Sequence, residues 1–147
     1  WQASLHALVV RPVFFAHIRY GVPVSFGRVD AQLQKKVVLV SGIASNTALR
    51  HYIEKAYSLL EHVVYRDHHN YSERDIQSWK CPSDAIILTT EKDMVKLSEP
   101  RFASMIRALP IFYLPMEMEF VENGEEFDAF VLNHLEEQLS KHNPGVL

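Results

Sequence analysis

Two short polar clusters carry most of the chemistry available to this chain. Asp67-His68-His69 follows the apolar run Val63-Val64-Tyr65, and Thr89-Thr90-Glu91-Lys92-Asp93 follows Ala85-Ile86-Ile87-Leu88. A histidine gives or takes a proton near neutral pH, and an adjacent carboxylate holds its tautomer or raises its pKa. Asp67 and His68 therefore suit general acid–base work. Asp-His-His also occurs where phosphoesterases bind divalent ions, but such sites need further Asp or His ligands from other loops. The other strand ends supply Gly42, Thr89 and Met116, which are poor partners. A third reading leaves Asp67 capping the turn and both histidines solvated or satisfied. No Ser, Thr or Cys sits in a nucleophile elbow, so acyl transfer has little support.

In the second cluster Thr90 can cap a helix that begins with acidic residues, with Asp93 three positions on. Capping accounts for Glu91 and Asp93 but not for Lys92, since a lysine in the first turn opposes the helix dipole. Lys92 and Lys96 are four apart, share a face, and could reach an anionic group. A third stretch, Ser41-Gly42-Ile43-Ala44-Ser45-Asn46, turns from strand to helix. A phosphate can rest on such a helix start. The stretch has one glycine, however, and the chain has no G-x-x-x-x-G-K-[ST] motif, so the turn can equally be structural.

These clusters must be positioned by the apolar runs before them. Val37–Val40, His62–Tyr65, Ala85–Leu88 and Ile111–Leu114 read as buried strands of a parallel sheet. Between them, helices are expected over 46–60 with Leu49, Ile53, Ala56 and Leu60 inward, 73–79 with a Ser72/Asp75 capping box, 91–97, and 101–109 with Phe102, Met105, Ile106 and Leu109 inward. After a connection over 117–124, a last helix over 126–141 buries Phe127, Phe130, Val131, Leu135 and Leu139. Ser45 or Asn46 is the candidate N-cap of the first helix. The alternation predicts a three-layer α/β fold with a parallel sheet and helices on both faces, the Rossmann-like or P-loop-kinase-like half of a larger fold. Residues past the strand ends then share one edge, where ligands bind in such sheets.

Residues 1–34 are a β-rich N-terminal segment, with strand-like runs over 4–10, 12–18 and 22–29 broken by Pro23 and Gly27. Its aromatic residues Phe14, Phe15, Tyr20 and Phe26 either cover the sheet or form a ribbon that leans on a part of the protein outside this chain.

The chain has 147 residues, which suits one domain, 1–147, and not comfortably two. A net charge of −3 gives no electrostatic reason to expect nucleic acid. The single cysteine, Cys81, excludes an internal disulfide and reads as a small apolar residue. No apolar run approaches the roughly 18 residues of a membrane span. Trp1-Gln2-Ala3-Ser4 has neither a methionine nor a charged leader, which is the expectation for a piece of a longer protein and not for a secretory signal.

Taken together, Gly42-Ile43-Ala44, Asp67-His68-His69-Asn70-Tyr71 and Thr90-Glu91-Lys92-Asp93-Met94-Val95-Lys96-Leu97 resemble, in order and spacing, the C-terminal half of the tetraacyldisaccharide 4'-kinase (lipid A 4'-kinase) family. The resemblance covers about residues 35–135, and the Thr-Glu-Lys-Asp stretch is its most specific part. The family turn usually continues into Asn-Pro, where this chain has Ser45-Asn46-Thr47, and Met94 stands where a smaller residue is usual.

The resemblance implies a P-loop-kinase-like enzyme that transfers the ATP γ-phosphate, with Mg2+, to the 4'-hydroxyl of a lipid disaccharide 1-phosphate. It would work peripherally at the cytoplasmic face of the bacterial inner membrane. The Walker lysine, the magnesium ligands and the aspartate base would belong to an N-terminal P-loop half that this chain lacks. His68 would cross the interdomain cleft to assist that base, and Asp67 would position His68. Gly42, Thr90 and Lys92 are weaker candidates for contact with the nucleotide. By this reading the chain alone is inactive. Two rivals stand beside it: a noncatalytic Rossmann-like binding module, and an Asp-His-His metal-dependent phosphoesterase.

Overall fold

The computed structural model describes residues 12–142. The strand-like run over 4–10 lies outside them. Two compact units divide the chain: Tyr20–Met116 forms one, and the residues before and after it form the other.

The larger unit is built on a five-stranded sheet of order β2-β6-β5-β3-β4. Its strands are β2 (Val24–Ser25), β3 (Lys36–Ser41), β4 (Ser58–Val64), β5 (Ala85–Thr90) and β6 (Ile111–Leu114). The last four are mutually parallel, as expected, and the two-residue β2 is antiparallel to β6; β4, which mixes Glu61 and His62 with its apolar residues, starts at Ser58 and ends at Val64, where His62–Tyr65 was expected, because it pairs with β3 from Lys36 onward. The expected strand over 22–29 is thus only Val24–Ser25. Beyond it the chain closes on β6, where a Cβ at Gly27 would lie 2.4 Å from the Leu109 carbonyl oxygen.

Alternate residues of each strand feed opposite faces. Val37, Leu39, Ile86, Leu88, Phe112 and Leu114 pack with Leu49 and Ile53 of α1 (Thr47–Ala56). On the other face Val40, Ile87 and Ile111 pack with Ile76 of α2 (Glu73–Ser78), Leu97 of α3 (Glu91–Leu97), and Phe102 and Ile106. Phe102 ends the 3₁₀ turn Pro100–Phe102, which leads into α4 (Ala103–Ala108). Helices on both faces make three layers. The strand order explains their sides, since right-handed crossovers in opposite directions along a sheet put their helices on opposite faces. The β3→β4 step places α1 on one face. The return to β5 and the step to β6 place α2, α3 and α4 on the other.

Three expectations need correction here. α1 stops at Ala56, short of Leu60, because Tyr57 is already extended and the Ser58 N–H donates to the Lys35 carbonyl at 2.8 Å. Leu60 is therefore an exposed residue of β4, and its helical spacing from Ala56 is coincidental; Leu59 is the neighbour that turns toward the core. The expected 101–109 helix is shorter and opens with the 3₁₀ turn, though Phe102 and Ile106 are buried as expected.

The third correction lies in the smaller unit. The stretch expected to connect β6 to the last helix contains β7 (Met116–Phe120), which pairs with β1 (Ala16–Tyr20) as a two-stranded sheet. The last helix, α5 (Gly124–His142), packs Phe127 against Phe14 and Phe120, with ring centroids 5.2 and 4.7 Å apart. The rest of the predicted stripe, Phe130, Val131, Leu135 and Leu139, is exposed. A five-residue strand spans about 17 Å and a nineteen-residue helix about 28 Å, so this small sheet covers only part of the helix.

Candidate functional site

The carboxyl ends of β3, β4 and β5 lie side by side, and the three motifs follow them directly: the Gly42 turn, the Arg66–Tyr71 loop, and Thr90 with α3. In doubly wound sheets the ligand crevice opens where successive crossovers diverge. Here that point lies between β3 and β5, and side chains of this chain fill it. Asp93, fully buried, accepts at Oδ2 from the Gly42 N–H at 2.9 Å and from the Thr90 hydroxyl at 2.8 Å. Thr90 is also the N-cap of α3, accepting from the Asp93 N–H at 3.1 Å. Tyr71 closes the other side, and burial, followed by the nearby Asp93 charge, pushes its phenol well above the usual tyrosine range.

Outside this plug sits the Asp67–His68–His69 loop. Lys92 donates to Asp67 Oδ1 at 2.6 Å, and Lys96 donates to the His69 carbonyl at 2.9 Å. The lysine that helix rules left unexplained thus pairs with a carboxylate 25 residues away in sequence. The hydrogen bond from Lys92, helped by the His68 N–H and the Lys92 charge, holds the Asp67 carboxyl below its ordinary pKa.

The two histidines behave differently. His68 has φ +57°, the left-handed region, where His, Asn and Asp are over-represented among non-glycine residues. Its N–H donates to Asp67 Oδ1 at 3.0 Å, which favours that turn, and its Nε2 lies 3.5 Å from Asp67 Oδ2. The side chain is 81% exposed. His69 is 20% exposed and stacks on Tyr65 at 4.4 Å, with the Tyr71 ring nearly perpendicular to it at 5.1 Å. Its Nε2 donates to Asp75 Oδ2 at 3.2 Å. So a second carboxylate serves the second histidine, a pairing that sequence reasoning missed. Asp75 also completes the predicted capping box with Ser72. Burial pushes the Asp75 carboxyl up, but hydrogen bonds from Ser72 and His69 outweigh it and leave the pKa lowered.

A further polar cluster holds the start of α1. The buried Ser41 hydroxyl donates to Asn46 Oδ1 at 2.6 Å, so His62 Nε2, 2.8 Å from the same oxygen, must be the donor there. Asn46 is the N-cap of α1 by position, without a side-chain capping bond. Burial, and then the Arg50 charge, lower the His62 pKa against the smaller opposing effect of Glu54. A histidine lowered on folding contributes stability above its unfolded pKa of about 6.5, and that contribution is lost as pH falls. The melting temperature should therefore drop between about pH 7 and 5, and less so in His62→Gln, which keeps a donor for Ser41. An identical pH dependence in the variant would sink this assignment.

Among the described residues no group of three or more His, Cys, Asp and Glu is placed to hold a metal ion, and no helix is long and apolar enough to cross a membrane.

An open, mostly parallel sheet covered on both faces, with its polar loops along the carboxyl edge, places the larger unit among the doubly wound α/β domains. Comparison narrows the class. Residues 8–136 match the family described as Tetraacyldisaccharide-1-P 4'-kinase, and the chain belongs to that family. The tetraacyldisaccharide 4'-kinase of Flavobacterium psychrophilum is 35% identical over 100 residues, covering 67% of this chain and 27% of the relative. That of Flavobacterium johnsoniae is 28% identical over 133 residues, covering 86% and 37%. A crystal structure of Aquifex aeolicus LpxK, described as an "apo" form in complex with ATP, superposes with a TM-score of 0.53 at 19% identity. It covers 85% of this chain and 37% of LpxK, and supports the fold. The chain thus spans well under half the length of these relatives.

Proposed function

We propose that this chain is the C-terminal, closing domain of a lipid A 4'-kinase. The whole enzyme would transfer the ATP γ-phosphate, with Mg2+, to the 4'-hydroxyl of a tetraacyldisaccharide 1-phosphate at the cytoplasmic side of the inner membrane. The observation that carries this reading is the exposed His68, held in a left-handed turn by Asp67 at the carboxyl edge of the sheet. Phosphoryl transfer depends mainly on positioning and electrostatics, so a domain that delivers one oriented imidazole to a site built elsewhere is a sensible part.

Among the described residues, Gly42, Thr90 and Lys92 do not form a phosphate cradle in this arrangement. The Gly42 N–H and Thr90 hydroxyl are engaged by Asp93, and Lys92 by Asp67. ATP and Mg2+ would accordingly be held mainly by an N-terminal P-loop half, with Gly42, Thr90 and Lys92 contributing through the placement of Asp67 and His68. Exposed Phe130, Leu135 and Leu139 offer that half an apolar surface. The divergence of His68 and His69 disfavours an Asp-His-His metal centre, which needs both imidazoles to converge.

The test compares the purified 147-residue chain with the protein encoded by its full reading frame, assayed with ATP, Mg2+ and tetraacyldisaccharide 1-phosphate. The full protein should transfer phosphate, and the chain alone should stay at background. Magnesium-dependent turnover by the chain alone would overturn the division of labour. Manganese-dependent phosphatase activity would favour the metal reading.

A further inference from the structure

Asp93 has no business at the centre of this edge if it only caps a helix. Capping uses its N–H, which donates to Thr90. Its carboxylate goes further: besides accepting from the Thr90 hydroxyl, it reaches Gly42, 51 residues back along the chain. Oδ2 binds the Gly42 N–H and the Thr90 hydroxyl, while Oδ1 has no hydrogen-bond partner of good geometry, as is true of the buried Tyr71 hydroxyl. Both atoms crowd Gly42: a Cβ there would lie 3.1 Å from Asp93 Oδ1, 3.3 Å from Tyr71 Oη and 3.5 Å from the Arg66 carbonyl oxygen. Arg66 and Tyr71 are the two ends of the loop that carries Asp67 and His68. The missing side chain at Gly42 is what lets that loop settle against Asp93. Helix α3 then grips the loop from outside through Lys92 and Lys96.

We propose that Asp93 is the positioning residue for the Asp67–His68 loop, acting through Gly42 and Tyr71. It touches no reacting atom; it sets where His68 stands. The rate consequence of this inference rests on the kinase reading above, but the positional consequence does not.

The experiment uses the full-length protein and two readouts, amide hydrogen exchange over residues 65–71 and steady-state phosphoryl transfer. In Asp93→Ala the Gly42 N–H and Thr90 hydroxyl lose their acceptor. Exchange should speed up at Tyr65 and His69, whose N–H groups donate to Ser41 and Arg66 carbonyls. The kcat should fall by about 10²-fold, the effect of a displacement near 1 Å, with the KM for ATP within a few-fold. Asp93→Asn should recover most of both, because its amide oxygen can accept from Gly42 and Thr90 while its NH2 meets the Tyr71 hydroxyl. Gly42→Ala, which keeps every hydrogen bond donor and acceptor, should displace the same loop and lower kcat in the same way, and it serves if Asp93→Ala does not fold. The proposal is overturned if loop exchange is unchanged in folded Asp93→Ala and Gly42→Ala, or if kcat is unchanged where only melting temperature has dropped. It is also overturned if Asp93→Asn is as impaired as Asp93→Ala, since charge and not placement would then matter. A wild-type protein that transfers no phosphate would remove the kinase reading, while the exchange comparison would still decide the positional claim.

Discussion

His68→Ala in the full-length protein should lower kcat by about 10²–10⁴, the usual contribution of a positioned acid or base, with a modest effect on the KM for ATP. The imidazole is exposed and makes no contact that the fold needs, so melting temperature should move little. The left-handed backbone at position 68 calls for a control, since alanine is less at ease there than histidine. His68→Asn suits that conformation and lacks the imidazole, so it should be as inactive as His68→Ala. His69→Ala should show the opposite profile. It removes a ring stacked on Tyr65 and leaves Asp75 without one of its donors, which costs stability of about 1–3 kcal/mol, while the rate falls roughly tenfold at most. Equal rate losses from the two histidines would point to a shared metal site. Near wild-type activity in both His68 variants would return the loop to a purely structural role.

Phe102→Ala should cost about 3–5 kcal/mol, the range for removing a large aromatic side chain from a close-packed core. Phe102 is fully enclosed in the cluster with Val40, Ile87 and Ile111 on the face covered by α2, α3 and α4. Domains of this kind have only about 5–15 kcal/mol in total, so the variant should be marginal at 37 °C. Urea denaturation read by far-UV circular dichroism measures the loss. A shift below about 1 kcal/mol would mean that the 3₁₀ turn packs elsewhere, since core truncations rarely cost so little.

The parallel core was legible because its signal is local. Val37–Val40, Ala85–Leu88 and Ile111–Leu114 are apolar at every position, as strands buried on both faces must be. Ser72 with Asp75 announced a helix start through chemistry contained in four residues. What was illegible depended on distant partners. Leu60 matched a helical stripe, but pairing of β4 with β3 decided its conformation. Met116–Phe120 alternates strictly, Met-Glu-Met-Glu-Phe, so its local strand signal was there to read; what the sequence did not show is that its partner is β1. The α5 stripe looked like a core face, and the sheet beneath proved too small to bury it. At the site, the sequence marked Asp67, His68, Gly42 and Lys92 by residue type, and order along the sheet put them on one edge. It could not show that Lys92 answers Asp67, that Asp75 serves His69, or that the Asp93 carboxylate reaches back to Gly42.

Apart from the contact with its neighbour Asp67, the contacts that place the His68 loop are long in sequence: 25 residues from Asp67 to Lys92, 27 from His69 to Lys96, 51 from Gly42 to Asp93. A ribosome adding about 5–20 residues per second takes roughly 1–5 s to pass from His68 to Asp93. During that interval the nascent chain contains the histidine and Asp67 but not the α3 lysines that grip their loop. β3, α1 and β4 can pair as a local βαβ unit early, whereas the loop beyond them waits for β5 and the first turn of α3 to arrive. A translation product that stops before Asp93 would therefore have the reactive residue without its geometry, and the arrangement of His68 reports on completion of the sheet.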